Sequence, residues 1–237
     1  MPEYSINDCS LYGKSIVDLS TPVYVFEKHN HALPVWGTIS CKIGKRLKLV
    51  TFDTHNDTRA PFTQIISENM GNHDDGINDP TVASLLRDKR YSPKSFSFED
   101  VFVISNMIKN DEQIKTAFDF GYIDSYYVVH REPAEGFEDY DRCHNYKCKY
   151  YDSDDINWDE LYCIESPIAL DFDLDYFIHR EDLGLEFKDK VKNLIMRASV
   201  ITIATEPDFF ETEKVESDFC NSEALNKLID IIRTYVS

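Results

Sequence analysis

The chain has 237 residues, 42% of them hydrophobic and 13% aromatic, enough to bury one substantial core and too apolar for a disordered segment. Its 43 Asp and Glu against 25 Lys and Arg give a formal charge of -18, which repels both a phosphate backbone and an anionic lipid surface, so neither nucleic acid nor membrane is expected as a partner. No apolar run approaches the ~18 residues of a membrane span and no basic-then-apolar leader opens the chain. The expectation is a cytoplasmic protein with reduced cysteines, a single domain over residues 1–237 and a small-molecule substrate.

The first strand is expected over 22–26, where Val23-Tyr24-Val25-Phe26 runs into Glu27-Lys28-His29-Asn30-His31. The second, over 46–53, contains Leu47-Lys48-Leu49-Val50-Thr51-Phe52 and delivers Asp53-Thr54-His55-Asn56-Asp57. Alternate side chains of an extended backbone share a face, so Asp53, His55 and Asp57 can point the same way. Helical patterns follow over 79–90, 97–108 and 111–120, the second opened by Ser97-Phe98-Glu99-Asp100. A strand over 124–129 exits at His130.

Cys143 and Cys148 flank His144 without a second ligand pair at finger spacing, which argues against structural zinc. Asp152-Ser153-Asp154-Asp155 lacks the Gly and distal Glu of a calcium loop and reads as a solvated acidic loop. The next strand, over 166–172, delivers Asp171-Phe172-Asp173-Leu174-Asp175, again at a period of two. A helix over 183–197, a strand over 199–204 ending in Thr205-Glu206-Pro207, and a helix over 221–236 with Leu225, Leu228, Ile229 and Ile232 on one face complete the chain.

Strands that alternate with helices, and that lack the alternation of a half-exposed sheet, predict an α/β fold: a three-layer αβα arrangement around a mostly parallel sheet. Ligands of such sheets bind outside the carboxyl ends of the strands, and the three segments rich in Asp and His all leave strands at that end. Imidazole and carboxylate suit first-row divalent ions, and carboxylates crowded on one face repel unless cations sit between them. A metal centre is the expected site.

Asp53-Thr54-His55-Asn56-Asp57 resembles the Asp-Ala-His-x-Asp motif of the ureohydrolase branch of the arginase/deacetylase superfamily. Asp171-Phe172-Asp173-Leu174-Asp175-Tyr176-Phe177 resembles its Ser-Phe-Asp-x-Asp-x-Phe/Leu motif, and Lys28-His29-Asn30-His31-Ala32-Leu33 its Asp-His-Ser-x-Ala-Leu segment, in the same order. The resemblance implies an arginase/deacetylase-like fold and two divalent ions, usually Mn2+, with Zn2+ or Fe2+ as the other candidates. His29, Asp53, Asp57 and Asp173 would surround one ion, and His55, Asp53, Asp173 and Asp175 the other. A water held between them would act as hydroxide near neutral pH.

Asp171 with Asp173 is the other register of the third motif; Asp173 with Asp175 is preferred because Phe177 then stands where the family has Phe or Leu. Where the family often continues with Asp-Pro, this chain has Ile178-His179. The resemblance also implies catalytic roles for His73, in Met70-Gly71-Asn72-His73, as a proton shuttle, and for Glu206 as a guanidinium contact. A solvated loop histidine and a helix-start glutamate are the plainer readings of these two. His31 is a partner of the metal ligands or a helix-start residue, and Arg59 greets a substrate carboxylate or pairs with a ligand aspartate.

The expected function is metal-dependent hydrolysis of a carbon–nitrogen bond, amidino or acyl amide. The alternative is a non-catalytic metal-binding or regulatory protein that keeps the fold. A dinuclear phosphoesterase stands third, since paired metals also serve phosphoryl transfer.

Overall fold

The structure, a computed structural model, describes residues 14–16, 19–55, 57–59, 98–131 and 148–236. Among the described residues seven strands form one sheet: β1 (Lys14–Ile16), β2 (Val23–Phe26), β3 (Leu47–Phe52), β4 (Ile123–His130), β5 (Cys148–Asp152), β6 (Ile168–Asp173) and β7 (Ala198–Ala204). They lie in the order β1-β2-β7-β6-β3-β4-β5. Only β1 is antiparallel to its neighbour; every other pairing is parallel.

Every strand expected from the sequence is present, because each is an apolar run buried on both faces by helices. β1 and β5 were not expected. β5 is an edge strand whose Lys149 and Asp152 are exposed while Cys148 and Tyr151 are buried, so its short mixed pattern lacks the apolar continuity of the central strands. Cys148 therefore belongs to the sheet, and Asp152 ends a strand instead of opening a loop; the Asp154 N–H donates to its Oδ1 at 2.9 Å.

The helices are α1 (Ala32–Ile43), α2 (Phe98–Ser105), α3 (Gln113–Asp119), α4 (Trp158–Tyr162), α5 (Leu185–Arg197), α6 (Pro207–Glu213) and α7 (Asn221–Val236). Helices α2, α3, α5 and α7 fall within the expected patterns; the pattern over 79–90 lies outside the described residues. α1 was not expected, and its burial explains why. Ala32, Leu33, Pro34, Val35, Trp36, Gly37, Ile39 and Ser40 are all buried, so no one-sided apolar stripe advertises it. A Cβ at Gly37 would meet the Tyr122 ring at 2.9 Å, so glycine is what lets α1 lie this close to Tyr122, the residue just before β4. The helix ends at Gly44 in the left-handed region, φ 71°, where glycine carries no Cβ penalty.

The two faces of the sheet bury separate cores. Leu47 and Leu49 of β3, Tyr126 and Val128 of β4, Ala169 of β6 and Val200 of β7 pack under α1, α2 and α3. Val50 and Phe52, Leu170 and Phe172, and Ile201 and Ile203 pack under α5 and α7. The period of two then places the site. Continuing the first set up β3 reaches Thr51 and Asp53, and continuing it up β6 reaches Asp171 and Asp173. The chain leaves β3 for β4 and β5 on one side, then returns to β6 on the other. The carboxyl ends of β3 and β6 therefore flank a topological switch point, where open α/β sheets keep their ligand crevice. Among the described residues no helix is long and apolar enough to cross a membrane.

Candidate metal centre

The ends of β2, β3 and β6 converge. His29 opens a 3-10 turn (His29–His31) after β2, Asp53 follows the last residue of β3, Asp173 ends β6, and Asp175 lies in the 3-10 turn that follows (Leu174–Tyr176). Thr54 ties the β3 and β6 ends together, its N–H donating to Asp175 Oδ1 at 3.2 Å and its hydroxyl to the Asp175 carbonyl at 2.8 Å. The Asp175 N–H donates to Asp173 Oδ1 at 3.2 Å, and the His55 N–H to Asp53 Oδ1 at 2.8 Å. Asp57 sits at φ 49°, a left-handed conformation that Asp tolerates better than most residues.

Two groups of donors result. His29 Nδ1 lies 2.9 Å from Asp57 Oδ2, 3.2 Å from Asp173 Oδ2 and 3.3 Å from Asp53 Oδ2. His55 Nδ1 lies 3.3 Å from Asp175 Oδ2 and 3.6 Å from Asp53 Oδ1. Asp53 thus belongs to both groups and turns one oxygen toward each. Donors about 2.1 Å from a shared ion stand roughly 3.0 to 3.4 Å apart at octahedral or tetrahedral angles, close to the spacings found here. His29 Nδ1, Asp53 Oδ2 and Asp175 Oδ2 are buried without a hydrogen-bond partner, a costly arrangement that a cation among their lone pairs would relieve. The residues present fit a divalent metal.

Without a cation, the surroundings favour the protonated form of most groups in the cluster. Burial, then the charge of Asp53, raises Asp57 well above the usual carboxylate range. Burial, then the charge of Asp175, does the same to Asp173, and burial with the charge of Asp53 raises Asp175. Burial alone would lower His29, but Asp171 and then the neighbouring carboxylates of Asp173 and Asp53 raise it well above its ordinary value. The carboxylates of Asp175 and then Asp53 beside its ring push His55 up to about 12. Asp53 is the exception among the acids: burial opposes its ionisation, yet His29 and His55 on either side hold it low.

All the sequence-derived ligand candidates, His29, Asp53, His55, Asp57, Asp173 and Asp175, meet in this cluster. Asp171 does not join them: its side chain lies on the far side of the His29 ring, 2.7 Å from Nε2, whereas Asp173 and Asp175 face the imidazole Nδ1 atoms of His29 and His55. Glu206, just past β7, is buried beside the cluster at φ 30°, and its Oε1 accepts the His29 backbone N–H at 2.8 Å. Burial, above all, raises it to about 7. His73 lies outside the described residues.

His31 packs against Phe102 and Phe26, with its Nε2 3.4 Å from Asn106 Oδ1, and so faces these residues instead of the candidate ligands. Arg59 pairs with Asp111, 3.2 Å away, and not with a ligand aspartate. His130 is buried at the end of β4 with its ring 6.3 Å from that of Tyr150.

Sequence reasoning missed two neighbours of the cluster. Gln113 Nε2 donates to Asp57 Oδ2 at 2.5 Å from the first turn of α3, and no local signal pointed to it. Phe209 of α6, 47% exposed, meets the His55 ring edge-on at 5.8 Å. The His55 side chain is 32% exposed while those of His29, Asp53, Asp57, Asp173 and Asp175 are 8% or less. Among the described residues the cluster therefore opens toward solvent on the side of His55 and Phe209.

No protein-family model matches this sequence, and no curated protein matches it. Among solved structures, the chain is similar to the crystal structure of an arginase-like protein from T. brucei, at 13% identity and a TM-score of 0.47. The similarity covers 92% of this chain and 59% of that one, so this chain spans about three fifths of the length of the protein it matches.

Proposed function

We propose that this protein is a metal-dependent hydrolase of a carbon–nitrogen bond, in an amidino group or an acyl amide, working with two divalent ions, Mn2+ first among them. The observation that carries this reading is Asp53, whose two oxygens face separate donor groups, one with His29 and Asp57 and the other with His55 and Asp175. The motif resemblances around Asp53 and Asp173 support the choice of bond. When bound, such ions supply Lewis acidity and lower the pKa of a water to about 7.

The protein's own groups have separable parts. His29, Asp57 and Asp173 would hold an ion on the buried side and His55 and Asp175 one on the solvent side, with Asp53 common to both and Asp173, which the resemblance also shares between them, nearer His29. Substrate arrives over His55 and Phe209. Hydrolysis must deliver a proton to the departing nitrogen; Glu206, raised to about 7, and His73 are the groups assigned to that exchange, since an acid or base works best with a pKa near the working pH.

The non-catalytic reading has one observation in its favour: Glu206 Oε1 is committed to the His29 N–H, which leaves that oxygen less available to a guanidinium. The test is purified protein with Mn2+ against a panel of guanidino compounds and acetylated amines, scored by released urea, ammonia or amine, with Asp53→Ala as control. Turnover by the wild type alone is expected, and His73→Ala should lower it about a hundredfold with metal content intact. Silence across the panel by protein with its metal bound would leave the non-catalytic reading standing.

A further inference from the structure

Asp171 is fully buried in β6 and stands level with Thr51 of β3 and Thr202 of β7. Its Oδ2 accepts from the Thr51 hydroxyl at 2.8 Å and faces His29 Nε2 at 2.7 Å; its Oδ1 accepts from the Thr202 hydroxyl at 2.5 Å. The Thr202 oxygen in turn receives the Trp36 indole N–H at 3.2 Å. Indole nitrogen only donates, so the Thr202 proton is turned toward Asp171. A carboxylate fed by hydroxyl protons offers only lone pairs to the imidazole. His29 must then carry its proton on Nε2, leaving the Nδ1 lone pair facing Asp53, Asp57 and Asp173.

We propose that Asp171 is a positioning residue that fixes the His29 tautomer and strengthens Nδ1 as a donor, so that the ion on the buried side is held through a carboxylate–histidine pair. The inference rests on the metal-site reading above. Partners of this kind fix ring orientation and raise ligand basicity. Where the ureohydrolase motif has Ser, this chain places a fully buried carboxyl side chain against the ring. Asp171 lies behind the imidazole, with its Oδ2 between the Thr51 hydroxyl and His29 Nε2 and its Oδ1 on the Thr202 hydroxyl, so it acts on the ion through His29.

The test compares Mn2+ affinity of the wild type, Asp171→Asn and Thr202→Val by competition with a chromophoric chelator. Asp171→Asn should weaken one ion about 10- to 100-fold and leave the second within about threefold, the usual cost of losing such a partner. Thr202→Val keeps the carboxylate on His29 and should stay within about threefold of wild type for both ions. Equal weakening by the two variants, or an Asn variant indistinguishable from wild type, overturns the assignment. Should Asp171→Asn fail to fold, long-range 1H–15N spectra of the Zn2+-loaded wild type decide, with metal on Nδ1 and the proton on Nε2 of His29 expected, and metal on Nε2 overturning it. A wild type that takes up no ion refutes the metal-site reading and this assignment together; normal uptake with an unaffected Asn variant refutes this assignment alone.

Discussion

Asp53→Ala should remove the capacity for both ions, whereas Asp175→Ala should remove one. The reason is geometric: Asp53 Oδ2 lies 3.3 Å from His29 Nδ1 and its Oδ1 lies 3.6 Å from His55 Nδ1, while Asp175 Oδ2 faces His55 at 3.3 Å. A ligand at a hundred times its Kd stabilises the native state by about 2.7 kcal/mol per site. For a chain of this size each kcal/mol moves the melting temperature by roughly 2–4 °C, so one ion is worth about 5–11 °C and two about 11–22 °C. Melting curves with and without saturating Mn2+ should therefore show the full shift for wild type, about half for Asp175→Ala and none for Asp53→Ala. Chelator should return the wild type to its metal-free curve. Equal partial shifts for both variants would show that Asp53 does not span two ions, and an unchanged wild-type curve would dispose of the site itself.

Metal uptake should release protons and weaken as pH falls. His55 is pushed up to about 12 and so holds a proton near neutrality that a cation must displace, and burial raises Asp57 and Asp173, which adds to proton competition as pH falls; calorimetry in two buffers of different ionisation enthalpy measures the release, and identical heats would contradict it. Gln113→Ala frees Asp57 from its 2.5 Å hydrogen bond and should weaken one ion about tenfold or more in the chelator competition, with the other ion unaffected. Phe172→Ala opens the core on the other face of the sheet, where Phe172 stacks on Phe52 at 5.4 Å, and should cost about 3–5 kcal/mol in denaturant unfolding. Metal affinity below the transition should survive that change, and its loss would mean that the site is not insulated from that core.

The sequence by itself determined the central strands and the places where they turn polar. A parallel strand covered on both faces must be apolar throughout, so Val23–Phe26, Leu47–Phe52 and Ile168–Leu170 stand out without any knowledge of their partners. The Asp and His residues that follow mark the carboxyl ends, and the order of the motifs marks the cluster. A polar residue close to each strand end, Thr51, Asp171 and Thr202, was also in plain view, yet its meaning depends on three strands lying level. Tertiary structure alone separated Asp171 from Asp175. On a period of two they are equivalent, but Asp171 is still within β6, hemmed by Thr51 and Thr202, whereas Asp175 lies beyond the strand end, where its carboxylate faces His55. α1 escaped notice for the same kind of reason: wedged between the sheet and two helices, it buries nearly every face and loses the stripe by which a helix is recognised. The grip of Gln113 on Asp57 spans 56 positions, and side chains that far apart meet only because the folded sheet and its covering helices bring them together.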